Sequence, residues 1–186
     1  MKITAYLILI LGLTLSCEDN NGSGDFKLLP HPQDWKIEGN SELMVADLKY
    51  HFNASGLPLP LGSDFLTVTD ATNRKDKAQL VYVIDPELNL KKEGYLMDIK
   101  AKQIHITAKD QAGLIYGLAT LEQLMEDAEE QEVPLPLCQI KDYPLLSYRA
   151  IHWDVKHHME TLDYYYGMID KLKKYKINAI IAEVED

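Results

Sequence analysis

The chain has 186 residues, 46% of them hydrophobic and 26% charged, with a formal net charge of -10. That balance belongs to a folded chain rather than a disordered one, and the length fits one ordinary domain plus part of another. The acidic charge and the lack of a Lys/Arg stripe of phosphate-tracking length argue against nucleic acid as a partner; KLKKYK at 171–176 reads as the solvated face of a helix.

Residues 1–17 have the layout of a targeting segment. Lys2 supplies the positive end, and Ala5–Leu15 is an apolar run too short to span a bilayer comfortably. Thr14-Leu15-Ser16 before Cys17 resembles a bacterial lipobox, in which the cysteine carries the lipid. A plain secretory signal with a coincidental cysteine is the alternative. Residues 18–27, with Asn20-Asn21-Gly22-Ser23-Gly24, read as a flexible tether. The expected location is the bacterial cell envelope, with Cys17 anchoring the chain to the outer membrane on its surface or periplasmic side. Cys138 is then a lone thiol, read as a small buried apolar side chain, and no disulfide framework exists in the chain.

Residues 28–141 read as a mixed α+β domain. Leu28–Pro32 is an extended lead-in, because each Pro biases the residue before it away from helix. Leu43–Val45 is a short strand candidate and Gly56–Gly62 a loop. QLVYVID at 79–85 is a near-continuous apolar run, as in a strand buried on both faces. Gly94–Ile99 and Ile104–Ala108 alternate about a turn at Ala101–Gln103, which predicts a hairpin. Asp110 is placed to cap a helix from Gln111 to about Asp127, with Leu114, Ile115, Leu118, Leu121, Leu124 and Met125 as its core stripe. Pro134, Pro136 and Pro144 rule out helix and mark a domain boundary.

Residues 142–186 read as strand, helix, strand. The first strand spans 147–155, Thr161 caps a helix to about Lys176, and NAIIAEV at 178–184 is a buried strand. Such a unit leaves open edges and uncovered apolar surface, so the chain is expected to be the front end of a longer protein.

Three segments in this order resemble glycoside hydrolase family 20, the β-N-acetylhexosaminidases. The first is Leu29-Pro30-His31-Pro32-Gln33. The second is the hairpin followed by Ala108, Gly113, Tyr116, Gly117, Thr120, Leu121, Gln123 and Leu124. The third is Asp142-Tyr143-Pro144, Tyr148-Arg149-Ala150, Asp154-Val155 and His158. The chain departs from the family at Ala150, at Ile151-His152-Trp153, at Lys156-His157 and in the ending Ala182–Asp186. The resemblance implies an α+β accessory domain over 28–141, then the first βαβ of an α/β (β/α)8 TIM barrel over 142–186, incomplete at its C-terminus. It also implies removal of terminal β-linked N-acetylhexosamine from glycans by a retaining mechanism in which the substrate's acetamido oxygen is the nucleophile. The catalytic Asp-Glu pair belongs to the fourth barrel strand, beyond residue 186, so this chain alone is expected to be inactive. No cofactor and no metal are implied. The rivals are another barrel glycosidase sharing the accessory domain, such as a family 84 enzyme, and a non-catalytic glycan-binding surface lipoprotein.

The resemblance assigns Arg149 to the hydroxyls of the terminal sugar, which its planar fork suits; a structural ion pair is the alternative. Asp186 is a possible supporting acid at the end of a barrel strand, where site residues gather. Asp154 and His158 are expected as framework near the site. Glu183 reads as an inward polar residue or a partner for Arg149. His152-x-Asp154 with His157-His158 has a spacing that a metal-dependent hydrolase could use, but the resemblance accounts for Asp154 and His158 without metal. Trp153 and Tyr164–Tyr166 are candidate sugar platforms, with spacing favouring helix packing for the three tyrosines.

Overall fold

The computed structural model describes residues 24–54, 70–156 and 159–184. Cys17, His157, His158, Asp186 and the loop expected at 56–62 lie outside those residues.

A seven-stranded mixed sheet carries the first unit. Its strands are β1 (Asp34–Asn40), β2 (Tyr50–Asn53), β3 (Asp70–Ala71), β4 (Leu80–Ile84), β5 (Tyr95–Ile99), β6 (Ile104–Ala108) and β7 (Pro136–Asp142), in the spatial order β1-β7-β5-β6-β4-β2-β3. β5 and β6 form the predicted antiparallel hairpin, with Met97 opposite Ile106. β4 runs parallel to β6, and β7 runs antiparallel to both β5 and β1. Helix α1 (Gln111–Glu130) lies across β4, β5 and β6. The alternating residues Tyr95, Met97, Ile99, Ile104 and Ile106 meet its Leu114, Leu118, Leu121 and Leu124 in one buried core.

The caps and close contacts of α1 follow from its sequence. Asp110 accepts from the Gly113 amide through Oδ1, an N-cap that satisfies a donor of the first turn. Gly113 presses against the chain at Gly94: a Cβ there would stand 2.4 Å from the Gly94 carbonyl oxygen. Gly117 faces the Tyr95 ring and Ile106 in the same way, at 3.0 to 3.2 Å.

Three expectations change. Leu43–Val45 is not a strand: Asp47 and Leu48 hydrogen-bond back to Met44 and Val45, so Val45–Asp47 is a turn of 3-10 helix. Pro136 does not lie at a boundary. It opens β7, a position where its missing N–H is tolerated, and β7 then sits inside the sheet with Pro136, Cys138, Ile140 and Asp142 turned inward. Strand β4 is buried at Leu80, Val81 and Tyr82, whereas Val83 and Ile84 are half-buried.

The second unit is β8 (Ala150–Asp154), α2 (Leu162–Lys174) and β9 (Ala179–Glu183). Its two strands pair in parallel, with Ala150 opposite Ala179 and Asp154 opposite Glu183. Thr161 caps α2 by accepting from the Tyr164 amide. Trp153 packs on Tyr165 with ring centroids 5.2 Å apart, so these aromatics join strand to helix. The expectation that β9 is buried does not hold within the described residues. β9 has one paired neighbour there, β8, and Ile180 and Ile181 are 38% and 48% exposed. Helix α2 docks on α1, where Ala112 and Ile115 face Ile169 and Leu172 across a groove. Ile115, assigned to the core stripe by period, packs partly buried against the core and also lines this groove. No helix among the described residues is long and apolar enough to cross a membrane.

Candidate functional site

The most elaborate polar arrangement lies where the two units meet, and Asp142 is its centre. The inward alternation of β7 turns this carboxylate into the protein, where it is 6% exposed. Its Oδ1 accepts from the amides of Gln33 at 3.2 Å and Tyr143 at 2.9 Å. Its Oδ2 accepts from Lys176 Nζ at 2.6 Å and Tyr95 Oη at 3.3 Å. Tyr95 Oη also stands 2.6 Å from Thr120 Oγ1, which donates to the Tyr116 carbonyl. A buried carboxylate needs this many donors to offset its lost hydration. The three sequence segments carrying the resemblance therefore converge here: Gln33 from the first, Tyr95 and Thr120 from the second, and Asp142 from the third.

Lys176 reaches Asp142 because α2 has ended. Its backbone is left-handed, at φ 60°, which turns the side chain inward. The expected solvated KLKKYK face is corrected at this residue: Lys176 is buried, beyond the helical period that sets the faces of α2. Burial outweighs the neighbouring carboxylate and pulls its ammonium below the ordinary lysine range. Burial also pushes the Tyr95 hydroxyl well above its usual value.

Beside this centre, Arg149 Nη2 donates to Glu93 Oε2 at 2.6 Å and to Tyr116 Oη at 3.1 Å. Its Nη1 donates to the Leu146 carbonyl and its Nε to the Lys176 carbonyl. Its guanidinium carbon lies 5.3 Å from the centre of the Tyr116 ring. Arg149 immediately precedes β8, so it stands at the N-terminal edge of the parallel pair. A cleft of about 310 Å³ opens here, with Pro144, Leu145 and Leu146 as apolar wall and Glu93, Asp142, Arg149 and Lys176 as floor. Its carboxylates are committed to protein donors, which suits joining two units more than transferring a proton to a ligand.

A second cluster occupies the C-terminal ends of β8 and β9. Glu183 Oε2 lies 3.1 Å from His152 Nε2, and Glu183 Oε1 accepts from Lys156 Nζ at 2.5 Å. Asp154 Oδ1 accepts from the Lys156 amide at 3.2 Å. Glu183 is thus an inter-strand partner of His152 and Lys156, not of Arg149, which sits at the opposite strand end. Among the described residues no three His, Cys, Asp or Glu side chains gather as metal ligands would.

Of the residues singled out in the sequence, Arg149 and Asp154 are described and stand at opposite ends of β8. His158, Asp186 and Cys17 fall outside the described residues. Cys138 is a free, buried thiol whose pKa burial pushes up to about 12. Glu93, Lys176 and the hub role of Asp142 escaped sequence reasoning. Their only sequence signal was indirect: Asp142 falls on the inward alternation of β7, and Lys176 falls after the last periodic residue of α2.

A protein-family model described as "Glycosyl hydrolase family 20, domain 2" matches residues 25–143. A beta-hexosaminidase of Porphyromonas gingivalis is 34% identical over 105 residues, covering 53% of this chain and 14% of that protein. The N,N'-diacetylchitobiase of Vibrio harveyi is 29% identical over 174 residues, covering 86% of this chain and 18% of its own length. The chain therefore spans less than a fifth of either relative. The crystal structure of a beta-N-acetylhexosaminidase from Bacteroides fragilis superposes with a TM-score of 0.72 at 20% identity, over 83% of this chain and 32% of that one. The Streptomyces coelicolor enzyme of the same family, GH20, superposes with a TM-score of 0.71 at 21% identity, over 86% of this chain and 35% of that one. At those identities the likeness is one of fold.

Proposed function

The chain belongs to glycosyl hydrolase family 20, and we propose that it is the N-terminal part of a longer glycosidase that removes terminal β-linked N-acetylhexosamine from glycans. The observation that carries this reading is the order of parts: a sheet-and-helix unit matching the family's domain 2, then a parallel βαβ unit. The first unit is the accessory domain, expected over 28–141 and carried to Asp142 by β7. The remainder, to residue 186, is the start of a TIM barrel, whose helices cover the outer faces of a parallel sheet. The similarity to the Vibrio harveyi chitobiase covers 86% of this chain, more than residues 1–141 make up, and supports this assignment.

In this reading hydrolysis follows the substrate-assisted retaining route, with the 2-acetamido oxygen attacking the anomeric carbon. The general acid and the carboxylate that orients the acetamido group come from a strand beyond residue 186, and the chain alone is inactive. Asp154, at the C-terminal end of β8, frames the site together with His158, and Asp186 supports it. The resemblance gives Arg149 the sugar hydroxyls, but Arg149 stands at the opposite end of β8 from Asp154, and its bonds to Glu93, Tyr116, Leu146 and Lys176 favour the alternative of a structural ion pair. Cys17 carries a lipid that holds the enzyme at the cell envelope.

The test is release of nitrophenol from a nitrophenyl N-acetyl-β-glucosaminide by the full-length protein. Turnover is expected, with none from residues 1–186. A full-length protein inert on this substrate and on other hexosaminides would overturn the hydrolase reading.

A further inference from the structure

Two residues at the junction hold a backbone conformation that their side chains disfavour. Glu93 has φ 62° and Lys176 has φ 60°, in the left-handed region that glycine enters freely and other residues rarely do. Each carries an ionised side chain across the junction, and in opposite directions. Glu93, in the turn before β5, reaches Arg149 of the second unit. Lys176, in the turn before β9, reaches Asp142 at the end of β7. A third pair, Lys174 of α2 with Glu126 of α1, crosses the same boundary. In all three the carboxylate stands on the sheet-and-helix unit, Asp142 being the last residue of β7, and the cation on the βαβ unit. The Glu93 amide is itself held by Asp110 Oδ2 at 2.8 Å, which ties its turn to the cap of α1. Glu132 shares this conformation, at φ 55°, away from the junction; Glu93 and Lys176 differ from it in the ion pairs that their side chains make across the junction.

We propose that Glu93 and Lys176 are positioning residues that lock the β8–α2–β9 unit onto the accessory domain through this one-sided set of ion pairs, and thereby set where β8 begins. The lock does not depend on the glycosidase reading. It concerns the placement of one unit on the other, and it is measured without substrate. The accessory domain is then the template on which the βαβ unit takes its position. Tyr116 and Asp142 complete the template by holding Arg149 and Lys176 from the accessory side.

Hydrogen–deuterium exchange of the 186-residue chain, read by peptide, tests this. In the unmodified chain, peptides from 147–184 are expected to be protected. Glu93→Gly relieves the backbone strain but removes the carboxylate. The lock requires 147–184 to exchange roughly tenfold faster in that variant, between the small effect of losing an exposed ion pair and the large one of losing a buried pair, while α1 and the β5–β6 hairpin keep their rates. Lys176→Gly should do the same more strongly. If it does not fold, Glu93→Gly, on the more exposed pair, decides alone. Unchanged or slower exchange of 147–184 in Glu93→Gly would make Glu93 a turn residue only and overturn the proposal. So would equal acceleration in both units, or a 147–184 segment already unprotected in the unmodified chain.

Discussion

His105 shows how much a single position depends on its neighbours. Its ring lies on the face of β6 away from α1, with Nε2 2.7 Å from Gln103 Oε1. Burial, aided by Lys100 and Lys75, lowers its pKa below the ordinary 6.5. A depressed folded-state value means that the unfolded chain takes up the proton first on acidification. The contribution of His105 is therefore complete above the unfolded value and is lost as pH falls through the folded one. An NMR titration of the imidazole should give a midpoint below 6.5, and His105→Gln should flatten the acid limb of stability against pH. A midpoint at or above the free value would contradict this. Asp142 makes the complementary point. In the sequence it is one residue of the Asp142-Tyr143-Pro144 motif, and in the fold it is the most connected carboxylate at the junction.

Among the elements, α1 is the one whose glycines decide the packing. Gly113 and Gly117 bring the helix close enough to the hairpin for Tyr95, Thr120 and Tyr116 to share one network. Replacing an interior helical Gly by Ala ordinarily stabilises by about 1 kcal/mol. At Gly113 the added methyl meets backbone oxygen, so Gly113→Ala is expected instead to destabilise by about 1–3 kcal/mol, the usual scale of overpacking. Gly167 in α2 is the internal control, since nothing lies within 4 Å of a Cβ built there. Gly167→Ala should stabilise by roughly 0.5–1 kcal/mol. Urea denaturation of the two variants should move the midpoint in opposite directions. A loss of stability in both, or a gain in both, would break the argument from close approach.

For the whole molecule, the two units differ in how completely they bury themselves. The accessory unit encloses its core between one sheet and one helix, whereas α2 has no buried residue and β9 exposes Ile180 and Ile181. The second unit is consequently held by what it touches, namely the α1 groove and the ion-paired junction. At the same scale belongs the expectation that the protein is lipid-anchored. Cys17→Ala should shift the full-length protein from the membrane fraction to the soluble one, and an unchanged distribution would contradict lipidation.

The sequence by itself determined the elements whose signals are local. The β5–β6 hairpin follows from period-two alternation, α1 from its cap and stripe, and β8–α2–β9 from two apolar runs about a capped helix. The family was legible for the same reason, since its motifs are short runs at set spacings. β1 was not legible, because an edge strand with little burial carries no alternation. β7 alternates, but Pro136 at its start reads as a breaker, because nothing local shows that it opens a strand. Only the tertiary structure decided the junction. Gln33 meets Asp142 across 109 positions of chain, Arg149 meets Glu93 across 56, and Lys176 meets Asp142 across 34. No local period encodes such meetings. They arise because the sheet brings the ends of β7 and β5 together and α2 ends beside them, where buried charges must find partners.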